Sequence, residues 1–172
     1  MTQQFSPNPG TRHPDDPSVP QASVATVSAR QRWMGVLAKA DAALLLRYVA
    51  DAPALPGHTV LRGPEAGLVM VRGRAGGGGA AFNVGEMSVT RCTVRDAAGR
   101  IGHAYVAGRD TQKAELAARL DAALQGPEVA LWEDAVIAPL AAEIAGRTMR
   151  DAERAAATRV NFFTLATMRT QS

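Results

Sequence analysis

The chain has 172 residues, a formal net charge of +3 and a single cysteine, Cys92. One thiol excludes an intramolecular disulfide and a cysteine metal cluster, and so small a net charge favours no particular class of partner. Hydrophobic residues make up 47% of the chain and aromatic residues 5%, which predicts one domain whose core is mostly alanine, valine and leucine.

The first 26 residues are predicted to be a disordered tail. Five prolines lie between Pro7 and Pro20 among polar residues, with few large apolar side chains. Residues 27–172 are then expected to form a single α+β domain. No segment has the roughly 20 apolar residues that cross a bilayer, and no secretory signal is evident. We therefore expect a cytoplasmic protein that uses neither a membrane nor a nucleic acid.

Two helices are predicted at the start of the domain. Thr26 or Ser28 is expected to cap the first, whose apolar side chains recur at helical spacing between Trp33 and Ala40. Asp41 is expected to cap the second, which ends before the proline-rich stretch at residues 53–57.

The middle of the chain shows strand patterns separated by turn signals. The expected strands are residues 59–62, 68–74, 82–95 and 101–107, with turns at 63–67 and 96–99 and a glycine loop at 76–79. Residues 87–95 alternate, but both faces carry mixed side chains, so the pattern does not decide which face meets the core. The arrangement predicts an antiparallel β-sheet meander.

Helices are predicted again after residue 110, where the apolar period changes from 2 to 3.6. Asp110 or Thr111 is expected to cap a helix to Leu124, and a short helix follows at 128–137. Pro139 is expected to end this short helix, and a last helix is predicted at residues 141–158. The predicted fold class is α+β: an antiparallel meander flanked by helices, with two N-terminal helices and a helical C-terminal region.

The turn at residues 108–112 is the first candidate site, because a strand meets a helix N-terminus there. Free backbone N–H groups at such an end favour an anion, to which Arg109 could add a bidentate phosphate contact. The competing interpretation, which we favour on the residues alone, is that Asp110 only caps the helix and Arg109 pairs with a neighbouring carboxylate. Arg91 and Arg95 share one strand face and could contact a ligand, a partner or only solvent.

Other conspicuous residues carry weaker signals. The glycine run at 76–79 lacks the Lys-Ser/Thr of a phosphate loop, and His58 and His103 have no second ligand at metal-like spacing. Cys92 is predicted to be an inert core thiol. Phe162 and Phe163 form an aromatic patch that either folds back on the core or docks on a partner. No complete set of catalytic residues emerges.

Several segments together resemble one known family. They are residues 30–38, 66–74, 88–95, 102–110, 114–115, 121–124, 137–140 and 158–164, and the resemblance as a whole runs from about residue 30 to residue 168. Their order and spacing resemble the PhnG subunits of carbon–phosphorus lyase core complexes. The departures are a longer, proline-rich start and Asn161 at a position where the family is expected to carry an acidic residue.

The resemblance implies a role in phosphonate breakdown. Such subunits assemble with PhnH, PhnI and PhnJ, and the assembly displaces adenine from ATP with a phosphonate to form a ribose 1-phosphonate 5-triphosphate. The resemblance assigns the nucleosidase chemistry to PhnI and carbon–phosphorus cleavage to the iron–sulfur subunit PhnJ, so this chain is expected to bind no cofactor or metal by itself.

Two alternatives to this role stay open. The chain could bind phosphorylated ligands by itself through residues 108–112, or it could be a purely structural scaffold for PhnI. Isolated from its partners, the chain is expected to self-associate through its partner-binding surface.

Overall fold

A computed structural model describes residues 24–74 and 79–158. The elements in chain order are α1 (Val24–Lys39), α2 (Ala42–Ala50), β1 (His58–Gly73), β2 (Phe82–Asp96), β3 (Ile101–Ala107), α3 (Thr111–Ala123), α4 (Val129–Trp132), a π-helical turn (Glu133–Ile137) and α5 (Ala138–Ala157). The predicted α+β class with an antiparallel meander is confirmed. The prediction of a tail falls mostly on residues outside the described ranges and stays a prediction.

The two N-terminal helices meet at Asp41, whose side chain accepts hydrogen bonds from the backbone N–H groups of Ala43 and Leu44. This confirms the predicted cap of α2. The predicted cap of α1 is wrong, because α1 begins at Val24 and so contains both Thr26 and Ser28. At the C-terminal end of α1 a side chain binds a backbone carbonyl: Lys113 Nζ donates to Ala38 O at 3.0 Å.

The sheet has the order β1-β2-β3, and both pairs are antiparallel. The predicted turn at residues 63–67 is wrong: β1 continues through it to Gly73. A register shift between Arg62 and Glu65 absorbs Gly63 and Pro64 as an irregularity within the strand. Gly63 has a φ of +71° there, a conformation that glycine adopts readily. The parts of β1 before and after this irregularity both pair with the long strand β2. The local turn signal at residues 63–67 does not reveal this pairing.

Helix α3 packs on one face of β2 and β3 and decides which face is buried. Thr90, Cys92 and Val94 point into the core with exposures of 0–2%, whereas Arg91 and Arg95 are exposed on the other face. The burial pattern settles the ambiguity in the alternation of residues 87–95. The predicted apolar positions of α3, including Leu116 and Leu120, are all in the core.

The predicted break at Pro139 is wrong, because α5 begins at Ala138 and follows the π-helical turn directly. Proline is tolerated in the first turn of a helix, where its missing N–H is not needed. Trp132, Val136, Ile137 and Leu140 are all buried, so one apolar stripe anchors this whole stretch to the core. Tertiary packing therefore keeps the chain helical through the proline.

The tight turn between β2 and β3 is built around Asp96. Its carboxylate accepts from the backbone N–H groups of Ala98 and Arg100 and from Arg100 Nε at 2.6 Å. Burial raises the pKa of this carboxyl, but the hydrogen bonds and charge of Arg100 outweigh burial and hold the pKa below its ordinary value of 3.8.

Replacing Asp96 with asparagine is therefore expected to destabilise the protein at pH 7 by about 1–3 kcal/mol. A depressed pKa contributes stability above the unfolded pKa, and that contribution is lost as the pH falls through the lower folded pKa. Urea denaturation from pH 7 to pH 3 should show the gap between the two proteins narrowing below about pH 4. A gap that stays constant over this range would contradict the assigned role of the charge.

Candidate functional site

The turn between β3 and α3 holds the first candidate residues. Gly108 has a φ of +94°, its N–H donates to Ser88 O at 2.8 Å, and its carbonyl accepts from Thr90 Oγ1 at 2.8 Å. Asp110 follows as the N-cap of α3 and accepts from the backbone N–H of Lys113 at 2.8 Å. The predicted cap is confirmed, and the backbone of the turn is held on both sides.

Arg109 is exposed in this turn. Within the described residues no hydrogen bond or ion pair engages its guanidinium, so the pairing with a neighbouring carboxylate that we favoured is not observed there. The Asp110 carboxylate already satisfies one N–H at this helix end and places a negative charge beside it. An anion would therefore have to use the remaining N–H groups together with Arg109, and the anion-binding role stays a prediction.

The sheet face opposite α3 carries Arg91 and Arg95. Arg91 Nε donates to Glu65 Oε1 at 2.7 Å, and Arg62 Nε donates to the same oxygen at 2.9 Å. Hydrogen bonds from Arg62 and then from Arg91 lower the pKa of Glu65. The one negative charge of Glu65 is shared by Arg62 and Arg91, so the three side chains keep a net positive charge. The Arg91 Nε is nevertheless already engaged, which weakens the case that Arg91 holds a phosphate.

Arg95 is exposed and lies four residues from Arg91 on the same strand, a separation of about 13 Å for extended chain. Across residues 24–74 and 79–158 no hydrogen bond or ion pair joins Arg91, Arg95 and Arg109 to one another. The sequence-predicted site residues therefore occupy one side of the sheet and its end without forming a single pocket. Phe162 and Phe163 lie outside the described residues.

A buried carboxylate that the sequence analysis did not single out joins three elements of the fold. Asp121 of α3 has no exposure, and its Oδ2 accepts from Arg30 Nη2 at 2.7 Å and from the backbone N–H of His103 at 2.9 Å. Its Oδ1 accepts from Trp33 Nε1 at 2.9 Å and Arg30 Nε at 3.1 Å. The sequence does contain a signal for this cluster, because the charged Asp121 interrupts the apolar stripe of α3 between Leu120 and Leu124.

This carboxylate also closes part of the free edge of β3. The His103 N–H binds Asp121, and the Ile101 carbonyl accepts from Gln125 Nε2 at 2.9 Å and Arg30 Nη2 at 3.3 Å. Side chains thus occupy backbone groups that would otherwise be open to another strand. We conclude that the Asp121 cluster is structural: it orients α1 against β3 and α3.

An open cleft of about 990 Å³ lies beside this cluster, between α1 and the end of α3. Its walls are mostly apolar, and Arg30, Gln125 and His103 contribute polar groups. His103 is exposed, and its Nδ1 lies 3.2 Å from Thr93 Oγ1. Among the residues that the structure describes, no set of charged side chains converges on this cleft in the way that binding a phosphorylated ligand requires.

The remaining titratable residues do not assemble a further centre in the part of the chain that the structure describes. His58 Nε2 lies 3.0 Å from Glu115 Oε1, and no group of three or more His, Cys, Asp or Glu side chains converges among these residues. Burial, and secondarily the charge of Glu115, raises the pKa of the Cys92 thiol. Cys92 is in the core, as predicted, and its lack of reactivity stays a prediction. None of the described helices is long and apolar enough to cross a membrane.

Comparison with known proteins decides the family. The sequence model of the family described as "Phosphonate metabolism protein PhnG" matches residues 28–168. The chain belongs to the PhnG family. It is also similar to the alpha-D-ribose 1-methylphosphonate 5-triphosphate synthase subunit PhnG of Rhizobium meliloti (strain 1021), with 42% identity over 144 residues. That match covers 82% of this chain and 90% of the relative. The resemblance drawn from the sequence is confirmed, and all the described elements that surround the candidate residues fall within the PhnG match.

Proposed function

We propose that this chain is the G subunit of an assembly that makes alpha-D-ribose 1-methylphosphonate 5-triphosphate, or a closely related ribose 1-phosphonate. The observation that carries the proposal is the 42% identity that extends over 90% of a relative bearing this name. In the proposed reaction a phosphonate displaces adenine from ATP, which is a co-substrate of the assembly. The chain itself binds neither a cofactor nor a metal in this proposal.

The proposed partners are PhnI, PhnH and PhnJ, with the nucleosidase chemistry on PhnI. The chain acts in the cytoplasm in this proposal, and its single cysteine is compatible with a reducing compartment. The absence of a converging charged pocket among the described residues supports a partner-dependent role over that of a stand-alone ligand binder. Neither a nucleic acid nor a membrane is required.

Co-expression of a tagged chain with the three partner subunits tests this assignment. We expect one stable species on gel filtration that contains all four chains and forms the ribose phosphonate from ATP and methylphosphonate. A tagged chain that elutes alone while the other three assemble would overturn the proposal. Saturable ATP binding to the isolated chain, measured by calorimetry, would favour the stand-alone binder.

Arg109 distinguishes a contributor to the reaction from a pure scaffold. If its guanidinium contacts a phosphate in the assembly, Arg109→Ala is expected to lower turnover roughly 10- to 100-fold, the equivalent of one charged hydrogen bond. Assembly should be unchanged, because Arg109 is exposed and engages none of the described residues. The matched control is Arg154→Ala on α5, whose pairing with Asp151 at 3.9 Å is exposed and weak. Full turnover in the Arg109 variant would leave the scaffold role as the better account.

A further inference from the structure

The sheet extends well beyond the part that helices cover. Residues 66–73 of β1 pair with residues 82–90 of β2, whereas β3 begins its pairing only at Val89. We call residues 66–73 and 82–88 the distal ribbon. Its apolar side chains are exposed, with fractions of 61% for Leu68, 54% for Met70 and 55% for Val84.

Both faces of the distal ribbon carry apolar side chains, and the face of Leu68 and Met70 also carries Ser88 and Glu86. Leu68 pairs with Ser88 and Met70 with Glu86, so Leu68 and Met70 continue the face on which Thr90 meets the core. Val69 pairs with Met87 on the opposite face, where Met87 is 39% exposed. The face of the sheet that meets the core at Thr90 is therefore exposed to solvent in the distal ribbon. The opposite face carries apolar side chains there as well.

A strand with this composition is normally buried on both sides. Residues 68–71 form the unbroken apolar run Leu-Val-Met-Val. Such a run is typical of strands that are buried on both faces rather than of strands with one solvent-exposed face. A ribbon of two strands is only marginally stable by itself. The distal ribbon thus has the sequence of an interior element but, within the described residues, nothing that covers it.

We propose that the distal ribbon inserts into an apolar cleft of a different subunit of the assembly, which encloses both of its faces. This inference rests on the proposed function. A second copy of this chain fits less well, because edge-to-edge pairing leaves both faces in water and two-fold packing of ribbons covers only one face of each. Enclosure requires a partner with two layers.

Charge adds a second feature of the partner. The apolar part of the ribbon is followed by the exposed Arg72 and Arg74, and Glu86 is the single acidic residue of the two ribbon segments. A cleft that encloses this ribbon is expected to carry acidic side chains beside Arg72 and Arg74 and a basic or hydrogen-bond-donating group beside Glu86, because unpaired charges in an apolar interface or at its rim weaken it.

The test places a charge on each face in turn. Leu68→Glu and Met87→Glu are made in the full chain and co-expressed with the partner subunits, beside Met149→Glu on α5, where the side chain is 64% exposed. All three sites are exposed, so each isolated variant is expected to melt like the unmodified chain. We expect each ribbon variant to lower the yield of the complex at least tenfold, since a carboxylate in an apolar cleft is costly. The control should assemble normally.

Each outcome bears on a different part of the proposal. If either ribbon variant assembles as well as the unmodified chain, that face is not enclosed and the inference is overturned while the proposed function stands. If the unmodified chain fails to assemble, the proposed function falls and the ribbon inference falls with it. A dimer of the isolated chain that Leu68→Glu dissociates, with the full complex still forming, would make a second copy the occupant. Hydrogen exchange should show the amides of residues 68–71 better protected in the complex than in the isolated chain.

Discussion

Replacing Asp121 with alanine is expected to lower the free energy of unfolding by about 3–5 kcal/mol. The substitution leaves the Arg30 guanidinium without its partner and removes the acceptor of the Trp33 N–H and the His103 backbone N–H. Groups buried without partners cost their full desolvation. Because the free energy of unfolding of a whole domain is only about 5–15 kcal/mol, this substitution is expected to remove a large part of it.

Urea denaturation followed by tryptophan fluorescence measures this effect, because Trp33 belongs to the cluster and Trp132 lies elsewhere in the core. The matched control is Asp134→Ala, an exposed aspartate of the π-helical turn, where a change within about 0.5 kcal/mol is expected. If Asp121→Ala does not fold, Asp121→Asn keeps the volume and still turns an amide N–H towards donors. An Asp121→Asn protein as stable as the unmodified chain would refute the structural role of this carboxylate.

Replacing Gly102 with alanine is the second change with a large expected effect. A Cβ at this position would lie 1.9 Å from Ala118 O and 2.7 Å from Ala122 N, both backbone atoms of α3. Neither atom can move without shifting the helix that packs on β3. Overpacking of a core typically costs about 1–3 kcal/mol, and contact with rigid backbone places this substitution at or above the upper end.

Gly35→Ala in α1 is the matched control, since no atom lies within 4 Å of its added Cβ. There the change is expected to stabilise the protein by about 0.5–1 kcal/mol, because alanine loses less backbone freedom than glycine in a helix. Chemical denaturation of both variants gives the comparison directly. If both variants shift the midpoint in the same direction, the close approach of α3 to β3 is not what requires glycine at position 102.

The arginines of the candidate site show what residue type alone leaves undecided. Arg91 and Arg95 form an apparent basic stripe in the sequence, but Glu65, 26 residues before Arg91, accepts from Arg91 in the folded chain. The register of β1 against β2 places Glu65 there, and that register depends on the irregularity at Gly63 and Pro64. Arg109, in contrast, follows a strand end and precedes a cap that the sequence predicted, so its position was correctly anticipated.

Sequence signals that act over a few residues were sufficient to predict several local features of this protein. The sequence by itself predicted the bounds of β3, the caps Asp41 and Asp110, the turn at Asp96 and, through the order of its motifs, the PhnG family. The caps, the turn and the strand bounds depend on hydrogen bonds or periodicity within about four residues along the chain. Such interactions are present whatever the rest of the molecule does.

Only the tertiary structure decided the features that join distant residues. The buried face of β2, the continuity of β1 through Gly63 and Pro64 and the passage of a helix over Pro139 all depend on what packs against them. Arg30 and Asp121 are 91 positions apart, and the exposure of the distal ribbon follows from where α3 begins and β3 ends. Burial depends on the whole arrangement of elements, and for that reason local sequence patterns left these features open.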